Sequence, residues 1–325
     1  MSKLYSLALT GLAGCMISSS AYAAEKWNMP TPFPDPFFHT QNIHQFTKEI
    51  GTKTGGDITI TFHSATSLIK LPEIHRAVQT GQVQMGETLV SFLANEDRVY
   101  EVDSLLFLAE TYEQGKRLWD ASKPYIAQRL AKKGLTLLYS VPWPPQGFYA
   151  KKELKSVDDF KGLKFRAYNA TLSRFAVAVG AVPTTVQLVD IPQAFSTGIV
   201  DAMLTSATTG VLTKSWDYLS HYHDIKAGLG KNMVIANSRV LKKLNKKNLD
   251  AIMSASANAE TRGWDMSAKE NDKMVARLQK SLTVVAPKPA LLNGMRSVGQ
   301  TLINDWLTKA GPDGKKILDA FKASK

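Results

Sequence analysis

Arg166 stands in FKGLKFRAYNATLSRF (160–175), where a short β-like run leads into a helical period. A guanidinium stays protonated near neutral pH and presents parallel N–H donors. At such a junction it either lies in solvent paired with Asp158 or Asp159, or grips an anion with two hydrogen bonds. Signatures of covalent chemistry are missing: the chain has no GxSxG elbow, no GxxxxGK[ST] loop, no HExxH pair and no GxGxxG after a strand. His221 and His223 would share one face of a strand, but no acidic or cysteine partner follows at metal-ligand spacing. His39 and His44, five apart, fall off a common helical face, and Asn95 to Asp97 reads as loop capping rather than acid–base catalysis. The residues therefore point to anion binding by a protein that is not an enzyme, with no metal and no cofactor expected.

The elements that must position Arg166 alternate. A strand (Leu163 to Arg166), a helix (Thr171 to Val179), a strand (Val182 to Gln187), a helix (Asp190 to Thr197) and a strand (Val200 to Thr205) form a βαβαβ order, which calls for a parallel sheet with helices on its faces. Asp190 suits an N-cap and Gly198 a C-terminal stop. Upstream, Asp57 to His63 reads as a strand, Leu71 to Gln82 as a helix with Pro72 near its start, and Leu135 to Trp143 as an apolar run broken by prolines. Lys246 to Ser281 contains no proline and a single glycine, Gly263. As one helix it would reach about 50 Å at 1.5 Å per residue, enough to touch two domains.

Lys3 is the only charged residue before Glu25, and the apolar run from Leu4 to Ser18 precedes Ala21-Tyr22-Ala23. This pattern predicts a signal peptide over 1–23, cleaved after Ala23, and a periplasmic protein. Leu12 to Cys15 would alternatively suit lipoprotein processing, with Cys15 acylated, but the apolar core before Cys15 is short and continues past it. Cys15 is the only cysteine, so the mature chain has no disulfide framework and must rely on its core. No later stretch approaches the roughly 20 apolar residues of a membrane span. The formal net charge is +12, yet the lysines are scattered without aromatic interleaving, so the excess reads as a solubilising surface that draws small anions rather than nucleic acid.

Three segments, AVQTGQVQMGE (77–87), VDDFKGLKFRAYNA (157–170) and VGAVPTTVQLVDIPQAFSTGIVDAM (179–203), stand in an order and spacing that resemble the DctP-type solute-binding proteins of TRAP transporters, and the likeness runs over nearly the whole mature chain. The resemblance implies an α/β periplasmic-binding-protein-like fold of two domains, each a mainly parallel sheet flanked by helices, with a long helix spanning both. Domain I would hold 24–143 plus 232–271, and domain II 144–231 plus 272–325. It further implies that Arg166 pairs with a ligand carboxylate, that the domains close about a hinge, and that the small organic acid passes to a small and a large membrane subunit of a sodium-coupled transporter.

Other site positions follow from the same resemblance: Asn169 in the arginine motif, Thr205 and Ser206 where many members carry an asparagine, and the domain I loops around Phe38, His39, Lys70 and Glu87. The chain also departs from the pattern. Many members have an arginine ahead of KGLK, whereas none occurs here between Arg129 and Arg166, and the segment reads PWPPQGFY (142–149). A second carboxylate normally calls for a second fixed cation. Trp143, Gln146 and Phe148 would instead line a pocket for a monocarboxylate with an apolar or aromatic body, unless those rings are hinge packing. Lys70 could supply a second charge, which would reopen a C4-dicarboxylate, and binding of a sugar acid in the same role is a further alternative. A periplasmic enzyme working on an acid in the same cleft, and a sensing module reporting to a receptor, are the alternatives of other classes.

Overall fold

A computed structural model describes residues 24–324, so the signal-peptide and lipidation expectations for 1–23 lie outside the described residues. In chain order the elements are β1 (Glu25–Pro30), α1 (Phe38–Thr54), β2 (Ile58–His63), α2 (Leu71–Thr80), β3 (Met85–Leu89), α3 (Tyr112–Lys132), β4 (Leu135–Pro142), β5 (Gln146–Ala150), β6 (Lys164–Ala167), α4 (Ala170–Ala178), β7 (Val182–Thr185), α5 (Ile191–Ser196), β8 (Ala202–Ser206), α6 (Ala207–Leu212), β9 (His221–His223), β10 (Lys231–Asn237), α7 (Ser238–Lys243), α8 (Lys246–Leu278), β11 (Thr283–Val285) and α9 (Pro289–Ala323). The βαβαβ run expected around Arg166 is β6-α4-β7-α5-β8, with β6 parallel to both β7 and β8. Asp190 precedes α5 but makes no cap. Its backbone is already helical, because a 3₁₀ turn at Leu188–Asp190 runs straight into the helix.

The strands form a six-stranded sheet ordered β11-β9-β5-β8-β6-β7, a three-stranded sheet ordered β3-β10-β4 and the β1-β2 pair. The α/β class and two-lobe architecture are those the resemblance implied, with one difference. The three-stranded sheet of the first lobe is antiparallel, because β10 returns from the second lobe and inserts between β3 and β4, running against both. β4 and β10 are buried almost end to end, as strands covered on both faces must be. Leu137, Met233 and Ile235 pack with Trp119 and Leu130 of α3, while Tyr139, Val141, Val234 and Ala236 pack with Phe46 of α1 and Ile252 of α8. A register shift pairs Ile235 with Leu137 and Val234 with Tyr139, skipping Leu138. That extra residue flips the side-chain alternation, so positions 139, 141 and 143 face α1. The indole of Trp143 reaches the first-lobe aromatic cluster because of this bulge.

Both long helices are shared between lobes. Ile252, Ala255 and Ala259 of α8 belong to the first-lobe core, and Met274 and Leu278 to the second. In α9, Leu291 and Met295 pack against Phe165 and Phe175 of the second lobe, but Ile303, Trp306, Ile317 and Leu318 join Trp119 and Ile126 in the first. Residues 303–318 therefore do not pack with the second lobe, as a 272–325 assignment would have it. α9 is long enough to reach the first lobe by Ile303, and the kink at Gly311 (φ 65°, ψ −150°) and Pro312 keeps its last turns, with Ile317 and Leu318, on that core. The single glycine of α8 has a packing reason: a Cβ on Gly263 would strike the side chain of Val141 and lie 2.8 Å from Asn42 Nδ2, which bonds Ala259 O across the α1–α8 contact.

Gly263→Ala is expected to lower stability by about 1–3 kcal/mol through overpacking, read by urea unfolding; an unchanged midpoint would mean that α8 can move away from β4 at no cost.

Candidate functional site

β6 alternates: Phe165 and Ala167 point into the second-lobe core, which leaves Arg166 on the opposite face, toward the interlobe cleft. Arg166 is only 3% exposed. Its Nε donates to Val186 O at 2.9 Å, and its guanidinium lies 5.1 Å from the centroid of the Tyr168 ring. Among the described residues no carboxylate pairs with it. Asp158 binds Lys161 at 2.8 Å, and Asp159 accepts the amides of Lys155 and Ser156, so neither holds the arginine at the surface. Burial without a counter-charge pulls the guanidinium down to about 10, which leaves it cationic at neutral pH and poorly compensated.

Arg166 faces a partly open cavity with about 440 Å³ of space not filled by atoms, solvent at its mouth included. Its two sides differ in chemistry. Phe33, Leu71, Leu89 and Trp143 make an apolar wall from the first lobe and the crossover, and Arg166, Tyr168, Gln187, Thr205, Ser206 and Thr209 supply polar groups from the second. Gln146, at the start of β5, also lines it and shares a hydrogen bond of 2.8–3.0 Å with the Tyr168 hydroxyl. Among the described residues, Arg166 is the one charged side chain on the lining.

Five predicted residues, Arg166, Trp143, Gln146, Thr205 and Ser206, meet at this cavity. The others sit elsewhere. Asn169 caps α4 by accepting Leu172 N–H at 2.9 Å, and its amide nitrogen donates to Ser91 at 3.0 Å and Ser104 at 3.3 Å, joining the lobes beside the cavity. Lys70 precedes α2, is exposed, and does not line the cavity, although its neighbour Leu71 does. Phe38 is core, packed 4.0 Å from His39 and 6.0 Å from Trp143 by ring centroids. Phe148 is buried against Phe160 and Phe175 on the far face of β5. His223 accepts Leu154 N–H at 2.8 Å, a packing role, and His39 is held neutral by burial, which pulls it down to about 3.

Glu87 lies behind the apolar wall rather than on it. It is 2% exposed, accepts from Thr31 Oγ1 at 2.5 Å and from Asn232 Nδ2 at 2.8 Å, and burial pushes its carboxyl up to about 7. Sequence reading missed Tyr168 and Phe33. Tyr168 had a signal: it stands two places after Arg166 in an extended segment, hence on the same face. Phe33 sits in TPFPDPFF, where prolines leave no periodicity to read.

Residues 34–309 match the DctP family, described as bacterial extracellular solute-binding protein, family 7. The fold is similar to the crystal structures of two Bordetella pertussis extracytoplasmic solute receptors binding pyroglutamic acid, DctP7 at 44% identity and DctP6 at 42%, each with a TM-score of 0.91 and covering 92% of this chain and 100% of the receptor. It is also similar to a marine metagenome TRAP solute-binding protein specific for pyroglutamate, at 37% identity and a TM-score of 0.91, over 92% of this chain and 99% of that one.

The unfolded carboxyl of Glu87 ionises near its ordinary value of 4.5 and the folded one near 7, so between these values the folded chain holds the extra proton. This group's contribution to stability therefore falls as pH rises through that window, by up to about 3 kcal/mol. Glu87→Gln should flatten the fall measured by urea unfolding from pH 5 to 7.5; an unchanged slope would assign the titration to other groups.

Proposed function

We propose a ligand for this chain, which belongs to the bacterial extracellular solute-binding protein family 7: pyroglutamate, a five-membered lactam bearing one carboxylate. The observation that carries the reading is the single guanidinium of Arg166, buried, without an acidic partner and facing a cavity whose opposite wall is apolar. A planar fork with its Nε already committed to Val186 can still offer its two terminal nitrogens to the carboxylate. The lactam brings one donor and one acceptor. Gln146, Gln187 and the hydroxyls of Thr205, Ser206 and Thr209 present both kinds within the same lining. Phe33, Leu71, Leu89 and Trp143 match the ring methylenes.

A second charge on the ligand would be buried without a partner, since Lys70 lies off the cavity. This favours a monocarboxylate over a C4-dicarboxylate, and the apolar wall of Phe33, Leu71, Leu89 and Trp143 would leave the hydroxyls of a sugar acid on that side without partners. The ligands of the three similar solved structures support the same choice. The family is a solute-binding and extracytoplasmic one, not an enzyme class. Export through residues 1–23 and delivery of the acid to a small and a large TRAP membrane subunit complete the reading. Among the described residues no helix is long and apolar enough to cross a membrane.

Capture works by differential stabilisation. Arg166 takes the carboxylate on the second lobe, the apolar wall closes over the ring, and removal of water strengthens the ion pair. Only the preference of the acid for the closed form shifts the equilibrium.

In thermal or urea unfolding, pyroglutamate at about 100 times its Kd should stabilise the chain by roughly 2.7 kcal/mol, while glutamate, succinate and glucuronate at the same concentration add little. Arg166→Met should abolish that stabilisation without lowering the stability of the unliganded protein, because the uncompensated charge leaves with the side chain. A dicarboxylate that binds as tightly, or pyroglutamate binding retained by Arg166→Met, would overturn the assignment.

A further inference from the structure

We propose that Glu87 and Asn232 are positioning residues that set ligand specificity by locking the indole of Trp143 as the wall of the cavity; the proposal rests on the reading of that cavity as the ligand site. The hydrogen bonds allow one direction of assignment. An indole Nε1–H can only donate, and it reaches Asn232 Oδ1 at 2.8 Å. The amide nitrogen of Asn232 is thereby turned the other way, where it needs an acceptor, and Glu87 Oε1 stands 2.8 Å from it. The remaining oxygen of Glu87 takes the Thr31 hydroxyl at 2.5 Å, and Thr31 Oγ1 in turn accepts Phe33 N–H at 3.3 Å.

The relay starts and ends on the ligand-facing wall. Phe33 and Trp143 both line the cavity, and their rings meet edge-on at 5.0 Å. Thr31, Glu87 and Asn232 are buried to 2% exposure or less, out of reach of the cavity itself. A carboxyl group suits the middle of the relay because it offers two separate oxygens on two sides, Oε1 to Asn232 and Oε2 to Thr31, which an apolar side chain cannot do. The other neighbours of Trp143, namely Phe37, Phe38 and His39, contact its ring faces and edges but offer its N–H no acceptor. Without Asn232 held in place, the indole keeps its packing and loses the bond that fixes its angle.

Two readouts test this. Six tryptophans give six indole N–H resonances in the folded protein, and that of Trp143 is assigned by its loss in Trp143→Phe. In Asn232→Leu and Glu87→Leu the Trp143 indole proton should exchange with solvent at least ten times faster, and pyroglutamate should bind at least ten times more weakly. The conservative Glu87→Gln, which can still accept from Asn232 and face Thr31 with its amide, should rescue most of both losses. In a Trp143→Phe background, where no N–H remains to be held, adding Asn232→Leu or Glu87→Leu should change the Kd less than twofold. Equal weakening with and without the indole, or an exchange rate unmoved by either leucine variant, would overturn the relay. Glu87→Gln as damaging as Glu87→Leu would instead indicate a direct carboxylate role and would also overturn it. A wild-type protein that does not bind pyroglutamate would defeat the ligand assignment alone, since the exchange measurement needs no ligand.

Discussion

A guanidinium removed from water without a carboxylate beside it is an expensive group, and the second lobe is arranged to tolerate it. Arg166 retains one backbone acceptor, Val186 O, and the face of Tyr168. Neither neutralises it: a carbonyl and a ring quadrupole recover only part of the desolvation cost. What remains is a field directed into a cavity lined largely by apolar surface, where a small anion recovers far more than it would in water. The same burial that lowers the arginine toward 10 leaves its charge poorly compensated beside the cavity, which is why the proposed ligand is an anion.

Closure of the two lobes over that charge depends on contacts outside the cavity. Asn169, at the start of α4, reaches Ser91 and Ser104 in the first lobe. Two residues on, Thr171 donates to Glu101 at 2.8 Å, and Glu101 also pairs with Arg98 at 2.6 Å and with Arg174. These groups exchange water for protein partners when the lobes meet, so they make little net difference to stability and a large one to geometry. They fix how the apolar wall faces Arg166. The shared helices α8 and α9 add packing in both lobes, and the crossovers near Trp143 and Gly230 are tied to each other by Trp143 N–H to Gly230 O at 2.8 Å.

Half of the second-lobe sheet, β6, β7 and β8, was legible because these strands and their helices follow one another in the chain and the βαβαβ period is a local signal; β5, β9 and β11 carry no such period. Arg166, Gln146, Trp143 and Thr205 were legible as cavity residues through a family resemblance and through residue chemistry, since each lies on or beside a strand end. The three-stranded antiparallel sheet was not. β10 pairs with strands that precede it by a whole lobe, and no local pattern records that insertion. The destination of Glu87 was missed for a related reason: its partners Thr31 and Asn232 are distant in sequence, so only the assembled sheet shows that it faces inward behind Trp143. Lys70 illustrates the opposite error. A lysine near a cleft looks like a second cation in sequence, but a flexible exposed ammonium at a helix start contributes little to an enclosed site.

Specificity in such a cleft divides between charge and shape. Arg166 can select for a carboxylate but cannot distinguish one small acid from another, because every candidate carries the group it binds. Discrimination among monocarboxylates must come from the opposite wall, where Trp143 presents the largest flat surface and where a tilt of the ring changes the space available more than any single methyl would. A ring held only by packing can tilt, whereas one whose N–H is tied to Asn232 cannot without breaking a buried hydrogen bond. The β4 bulge sets which face Trp143 occupies, and the bond to Asn232 sets its angle. Selectivity for the body of the ligand is therefore built into strand register and a buried polar relay, one layer removed from the surface the ligand touches.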